Sequence, residues 1–143
     1  MSLTPVFTPD WTLLDSTVSP VMALFSPMQH RHHRGSDWYT CTVQATHLNA
    51  AGQLHGGFFC TLLDLTMGHA AWHAIQARGS IRTMATVALN ATLTSPAHEN
   101  DILTVQVKVL RITQTLVFVT ALMRCKQRPL AQGTATIHYR LAT

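Results

Sequence analysis

The feature that most restricts the fold is one long helical pattern across residues 58–77, closed by Gly79, in a chain whose other patterns are short or strand-like. Downstream, residues 83–93, 103–112, 115–123 and 131–139 favour β-branched or alternating side chains, and residues 96–101 and 126–129 punctuate them. Upstream, residues 38–46 alternate, with Tyr39, Cys41, Val43 and Ala45 on one side and Thr40, Thr42, Gln44 and Thr46 on the other. About five strands and one helix, without regular strand-helix alternation, imply an α+β fold in which a mostly antiparallel sheet wraps against the helix.

At 143 residues, 47% of them hydrophobic, the chain suits a single domain over 1–143 with a core of ordinary size. Residues 1–37 read as an N-terminal helix followed by a variable strand and loop region. Thr8 is placed as the helix N-cap, Pro9 in its first turn and Pro20 at its end, and a strand end and turn run through Gly35. Cys41, Cys60 and Cys125 lie in apolar segments without CxxC spacing and read as core thiols of a reducing compartment. The longest apolar run, residues 58–75, is interrupted by Asp64, His69 and His73, so a cytoplasmic protein without a membrane segment is expected.

Only 11% of residues are charged, against roughly 25% in a typical globular chain, so subunit association is expected to cover part of the surface. The net charge of +4 arises because ten Lys and Arg face only six Asp and Glu. Those bases are scattered rather than gathered on one element, which suits a small anionic ligand better than nucleic acid.

At about 100° per residue, Thr66, His69, His73 and Gln76 share a polar stripe of the helix, whereas Asp64 projects among Cys60, Met67, Gly68, Ala71 and Ile75. A carboxylate there is costly unless something pairs with it or uses it. It suits either a buried hydrogen bond or a general base or nucleophile. Just upstream, His55-Gly56-Gly57 places glycine N–H groups at the positive end of the helix, where they suit either a tight turn or an oxyanion. Nine residues of helix separate His55 from Asp64, about 13 Å, and set them on opposite sides. If the two cooperate on one substrate atom, they come from different subunits, so a dimer with interfacial sites is expected.

The run Asn49-Ala50-Ala51-Gly52-Gln53-Leu54-His55-Gly56-Gly57, followed by Asp64, resembles the N-x-x-G-x-x-H-G-G-x6-D signature of hotdog-fold thioesterases of the phenylacetate-degradation (PaaI-like) type. The segments from Thr86 to a Pro96-Ala97 turn and from Ala131 to Thr136 resemble that family's later strands. The resemblance implies a sheet curled around the central helix, homodimers often paired into tetramers, and hydrolysis of acyl- or aroyl-coenzyme A without a further cofactor. It assigns Asp64 to water activation or direct attack and the Gly56 amide to carbonyl polarisation from the other subunit. Asn49 and His55 orient the loop and substrate, and the Thr86 hydroxyl holds the attacking water. A thioester has weak resonance and a good leaving group, so one base and one oxyanion donor suffice.

A non-catalytic acyl-coenzyme A sensor on the same fold is the alternative, although residues 1–37 show no helix-turn-helix with a basic recognition helix. A hotdog dehydratase or hydratase fits less well, because its acid and histidine lie in other surroundings. No metal site is expected. Adjacent histidines at His30, His32 and His33 point apart and suit a solvated loop near the coenzyme A nucleotide, while His69 and His73 form half a site without an acidic or thiol partner. Phe58, Phe59, Leu62 and Met67 serve as core or acyl-pocket residues, and Arg78, Arg82, Lys108 and Arg111 are candidates for the coenzyme A phosphates.

Overall fold

The structure, a computed structural model, describes residues 10–143 apart from Val18 and Ser26. Seven antiparallel strands and one long helix follow in chain order: β1 (Thr12–Leu13), β2 (Gln29–His33), β3 (Ser36–Thr42), α1 (Gly56–Gln76), β4 (Ile81–Leu93), β5 (Ile102–Ile112), β6 (Leu116–Cys125) and β7 (Arg128–Leu141). The sheet order is β1-β2-β3-β5-β6-β7-β4, so α1 carries the chain from the β3 side to the far edge. This is the expected α+β hotdog arrangement, a sheet wrapped on a central helix.

The expected N-cap Thr8 and Pro9 lie outside the described residues. Beyond them, Thr12–Leu13 is strand rather than helix, paired with Gln29 and His30 of β2, and Pro20 opens a 3-10 helix, Pro20–Phe25, instead of ending a helix. Proline is tolerated at a first helical position, where its missing N–H costs nothing, so the same residue permits either reading. The alternation expected through residue 46 stops at Thr42, because a 3-10 helix, Ala45–His47, turns the chain toward the Asn49 loop and leaves Ala45 exposed.

Leu62, Leu63, Met67, Ala71 and Ile75 of α1 are fully buried against Leu103, Val105 and Val107 of β5, Val117, Val119 and Met123 of β6, and Ile137 and Tyr139 of β7. Period-2 burial on the strands and helical spacing on α1 therefore meet in one core. A Cβ on Gly133 of β7 would stand 3.3 Å from the Asn90 carbonyl oxygen and 3.4 Å from Leu63 and Met67, so glycine lets the helix seat closely. Burying one such Leu or Met side chain is worth about 1.5–3 kcal/mol, so this seam holds α1 in place.

Strand β4 differs from the rest. It pairs only with β7, forms one edge of the sheet, and has no buried residue along its length; Val87, Leu89 and Leu93 are 61%, 36% and 43% exposed. Its single charge is Arg82 and it lacks proline, so the usual protections of a sheet edge are nearly absent.

Candidate active site

The Asn49 loop is ordered by its own side chain. Asn49 Oδ1 accepts from the Ala51 N–H at 2.9 Å and the Gln53 N–H at 3.1 Å, while the Gln53 carbonyl accepts from the Asn49 N–H at 2.7 Å. Leu54 N–H then donates to the Ala97 carbonyl at 2.8 Å, tying the loop to the turn that follows β4. Asn49 thus sets the path of the chain into α1.

His55 is the N-cap of α1, its Nδ1 accepting from the Gly57 N–H at 2.9 Å. A Cβ on Gly57 would lie 3.1 Å from that nitrogen, so the second glycine makes room for the capping ring. The His55 carbonyl accepts from Phe58 and Phe59. Among the described residues the Gly56 N–H has no acceptor, so capping consumes the neighbouring donors and leaves this one. Gly56 lines a cavity of about 340 Å³ with Gln53, Leu54, Phe59, Leu93 and the turn residues Thr94, Ser95 and Pro96.

Asp64 opens onto a different cavity, of about 510 Å³. Leu14, Val21, Met22, Leu65, Trp72 and Met84 give it an apolar lining, and Asp64, Thr86 and His69 are among its polar groups. Asp64 is half-buried and flanks the core face of α1 instead of lying within it, since Met67, Ala71 and Ile75 turn to the sheet while Gly68 lines the same cavity. Asp64 Oδ1 accepts from the Thr86 hydroxyl at 2.7 Å. Thr86 sits where β4 shifts register against β7, pairing with Ile137 while Ala88 pairs with Thr136, and the extra residue is Val87. Such a bulge turns a strand locally and aims its side chains.

The fold therefore brings Asp64 to Thr86, and Asn49 and His55 to Gly56, but keeps the two groups in separate cavities of one chain. Phe59, Leu62 and Met67 are core, and half-buried Phe58 packs edge-on against Phe25; none of the four lines the Asp64 cavity. Arg78, Arg82, Lys108 and Arg111 are exposed and line neither cavity. The expected polar stripe of α1 is broken at Thr66, which is fully buried and donates to the Leu62 carbonyl at 2.8 Å.

The lower part of that stripe meets the N-terminal strands. His30 is a strand residue, its side chain 12% exposed, not part of a solvated loop; His32 and His33 are the exposed pair. Its Nε2 is 2.8 Å from Asp37 Oδ1, and the Tyr39 hydroxyl is 2.7 Å from His69 Nδ1. Burial lowers His69 to about 4, helped by His30 and His73 against the pull of Asp37, and lowers His73 chiefly for the same reason. Burial raises Asp37, but hydrogen bonds and attraction from His30 and His32 outweigh it and leave the carboxyl below its ordinary range. No sequence pattern pointed to these contacts, because Tyr39 and His69 stand 30 residues apart.

The profile of the thioesterase superfamily matches residues 51–132, which includes Gly56, Asp64 and Thr86. A Caenorhabditis elegans protein named as a candidate esterase is 31% identical over 99 residues; the match takes in 68% of this chain and only 56% of that protein. Among solved structures, a candidate thioesterase of Ralstonia eutropha related to phenylacetic acid degradation superposes with TM-score 0.74 at 20% identity, over 84% of this chain and 89% of that one. The PaaI protein from the phenylacetic acid degradation operon of Escherichia coli superposes with TM-score 0.71 at 19% identity, over 90% and 87%. At those identities the solved structures establish a shared fold.

Proposed function

Because the chain belongs to the thioesterase superfamily, we propose that it hydrolyses acyl or aroyl thioesters of coenzyme A at sites shared between two subunits. The observation that carries this reading is the Asp64–Thr86 hydrogen bond at the wall of an apolar cavity. It supplies a carboxylate and a hydroxyl side by side next to space for an acyl group.

In this mechanism the Thr86 hydroxyl, while donating to Asp64, accepts a hydrogen bond from water and holds it beside the carboxylate. Asp64 takes the proton as the water oxygen adds to the thioester carbon, and the carbonyl oxygen, becoming an oxyanion, accepts from the Gly56 N–H of the second subunit. Collapse expels the coenzyme A thiolate, a good leaving group that needs little help from an acid. Direct attack by Asp64, giving an acyl-enzyme anhydride that water then opens, uses the same atoms. Where water opens the anhydride at the Asp64 carboxyl carbon, the acyl group leaves with an Asp64 oxygen, so in a single turnover in 18O water an unlabelled product acid and a labelled Asp64 mark this covalent route.

Separate cavities for Gly56 and Asp64, together with the uncovered β4 edge, support the two-subunit reading, with a dimer or a dimer of dimers as the working form. Two structural neighbours take their names from phenylacetic acid degradation, so aryl-bearing acyl groups belong in the substrate panel. The test measures thiol release from acetyl-, medium-chain, long-chain and phenylacetyl-coenzyme A by the wild-type chain and Asp64→Asn. Loss of about 10²–10⁴-fold in kcat in the variant is expected, the usual contribution of a general base. Near-normal hydrolysis in Asp64→Asn would overturn the assignment, and ligand binding without thiol release by the wild type would favour the sensor. No helix among the described residues is long and apolar enough to cross a membrane.

A further inference from the structure

Beside the Asp64 cavity, three imidazoles from two layers of the fold converge. His30 comes from β2, and His69 and His73 stand one turn apart on α1; one ring nitrogen from each lies within 4.8 Å of the other two. Ring centroids are 5.0 Å apart for His30 and His69, 4.6 Å for His69 and His73, and 5.5 Å for His30 and His73. Among the described residues no hydrogen bond joins these rings to one another. Three imidazoles gathered in this way share no proton that would explain the grouping.

Their outer contacts have a specific form. Asp37 engages one nitrogen of His30, and the Tyr39 hydroxyl engages one nitrogen of His69, so each of these rings keeps its other nitrogen. Both outer partners come from β3, whose register against β2 sets Tyr39 opposite His30. A carboxylate or another oxygen on the far nitrogen is how proteins fix the ring and tautomer of a metal-bound histidine. His73 has ring contacts with His30, His69 and Trp72 and stays exposed, giving an ion a path from solvent.

We propose that His30, His69 and His73 bind one divalent transition-metal ion of the zinc class, with Asp37 and Tyr39 holding the first two rings. An all-imidazole donor set suits zinc, cobalt, nickel or copper and discriminates against magnesium and calcium, which prefer oxygen. Ligands at about 2.1 Å on a tetrahedron lie roughly 3.4 Å apart, so the rings close on the ion by side-chain rotation. A fourth position remains for water. The ion fastens β2 onto α1, and through His69 it braces a wall of the cavity that Asp64 lines. In sequence His69 and His73 stand as half a site, because their third partner lies about 40 residues upstream on a strand.

The test uses the untagged full chain freed of metal with a chelator, titrated with Zn²⁺ by calorimetry and with Co²⁺ by visible absorption. Saturation at one ion per chain is expected, with the intense visible bands of tetrahedral Co²⁺ and a raised Tm. His73→Gln, at an exposed position, and His30→Gln should each weaken binding at least 100-fold. Asp37→Asn should weaken it about 10–100-fold, the usual effect of losing such an outer partner. His33→Gln/His98→Gln, which removes two exposed imidazoles elsewhere, should bind as the wild type does. Asp64→Asn should also bind normally, which separates this site from the proposed hydrolysis. Absence of stoichiometric uptake, or equal affinity in a folded His30→Gln/His73→Gln variant, would overturn the proposal.

Discussion

The Thr86 hydroxyl donates to Asp64 Oδ1 at 2.7 Å, joining a residue at a β4 bulge to a carboxylate on the helix flank. A hydrogen bond to a charged acceptor is worth about 1.5–3 kcal/mol, and here both partners line the same cavity. Thr86→Val keeps the β-branched shape but removes the donor, so kcat for thioester cleavage should fall about 10–100-fold with a small change in KM. Thr86→Ser should restore most of the rate. Equal rates in the Val variant and the wild type would show that the hydroxyl is structural.

His55 has a capping role that can be separated from any contact with substrate. Its ring takes the Gly57 N–H, so His55→Ala should lower stability by about 1 kcal/mol in denaturant unfolding, as loss of an N-cap does. Asn caps well, and His55→Asn should recover that stability. Turnover measured on the same two variants then distinguishes the roles: a rate that returns with Asn reports capping alone, whereas a rate that stays low reports a contact between imidazole and substrate.

The order in which these features became legible follows from their range in sequence. Helix α1 and the strands after Gly79 are local patterns of period, readable to within a few residues, as was the place of His55-Gly56-Gly57 at the helix start; the capping contact of His55 with Gly57 emerges only in the fold. The separation of Gly56 from Asp64 was also readable, since helical rise alone imposes it. The 3-10 helix at Pro20 and strand β1 were not, because two residues carry no period and β1 exists only through pairing with β2. Residues lining the Asp64 cavity were missed for a related reason. Leu14, Met22, Trp72 and Met84 come from four parts of the chain, and only the packed sheet brings them together. The convergence of His30 with His69 and His73 is the extreme case, made by one β2 side chain reaching two on α1.

Gly68 offers a direct probe of the cavity. It lines the space beside Asp64, and a Cβ built there meets nothing within 4 Å. Gly68→Ala should therefore stabilise the chain by about 0.5–1 kcal/mol, because glycine is costly inside a helix. Gly68→Val adds an isopropyl group on that side and should lower kcat/KM for phenylacetyl- and long-chain substrates more than for acetyl-coenzyme A. Parallel losses on all substrates would place the acyl group elsewhere.

Strand β4 supplies the strongest test of the shared site. A thirteen-residue edge with one charge and exposed Val87 and Leu89 invites pairing with a second copy, and two-fold symmetry would set each copy's β4 against the other. Val87→Lys/Leu89→Lys places like charges on both sides of such a seam, while each long side chain can still reach solvent from the isolated chain. The variant should sediment as a monomer near 15.8 kDa with an unchanged far-ultraviolet spectrum. Its turnover should fall at least tenfold, because Gly56 and Asp64 open onto different cavities of one chain and only a partner can complete either. A folded monomer with wild-type turnover would mean that one chain suffices, and the cross-subunit mechanism would have to be abandoned.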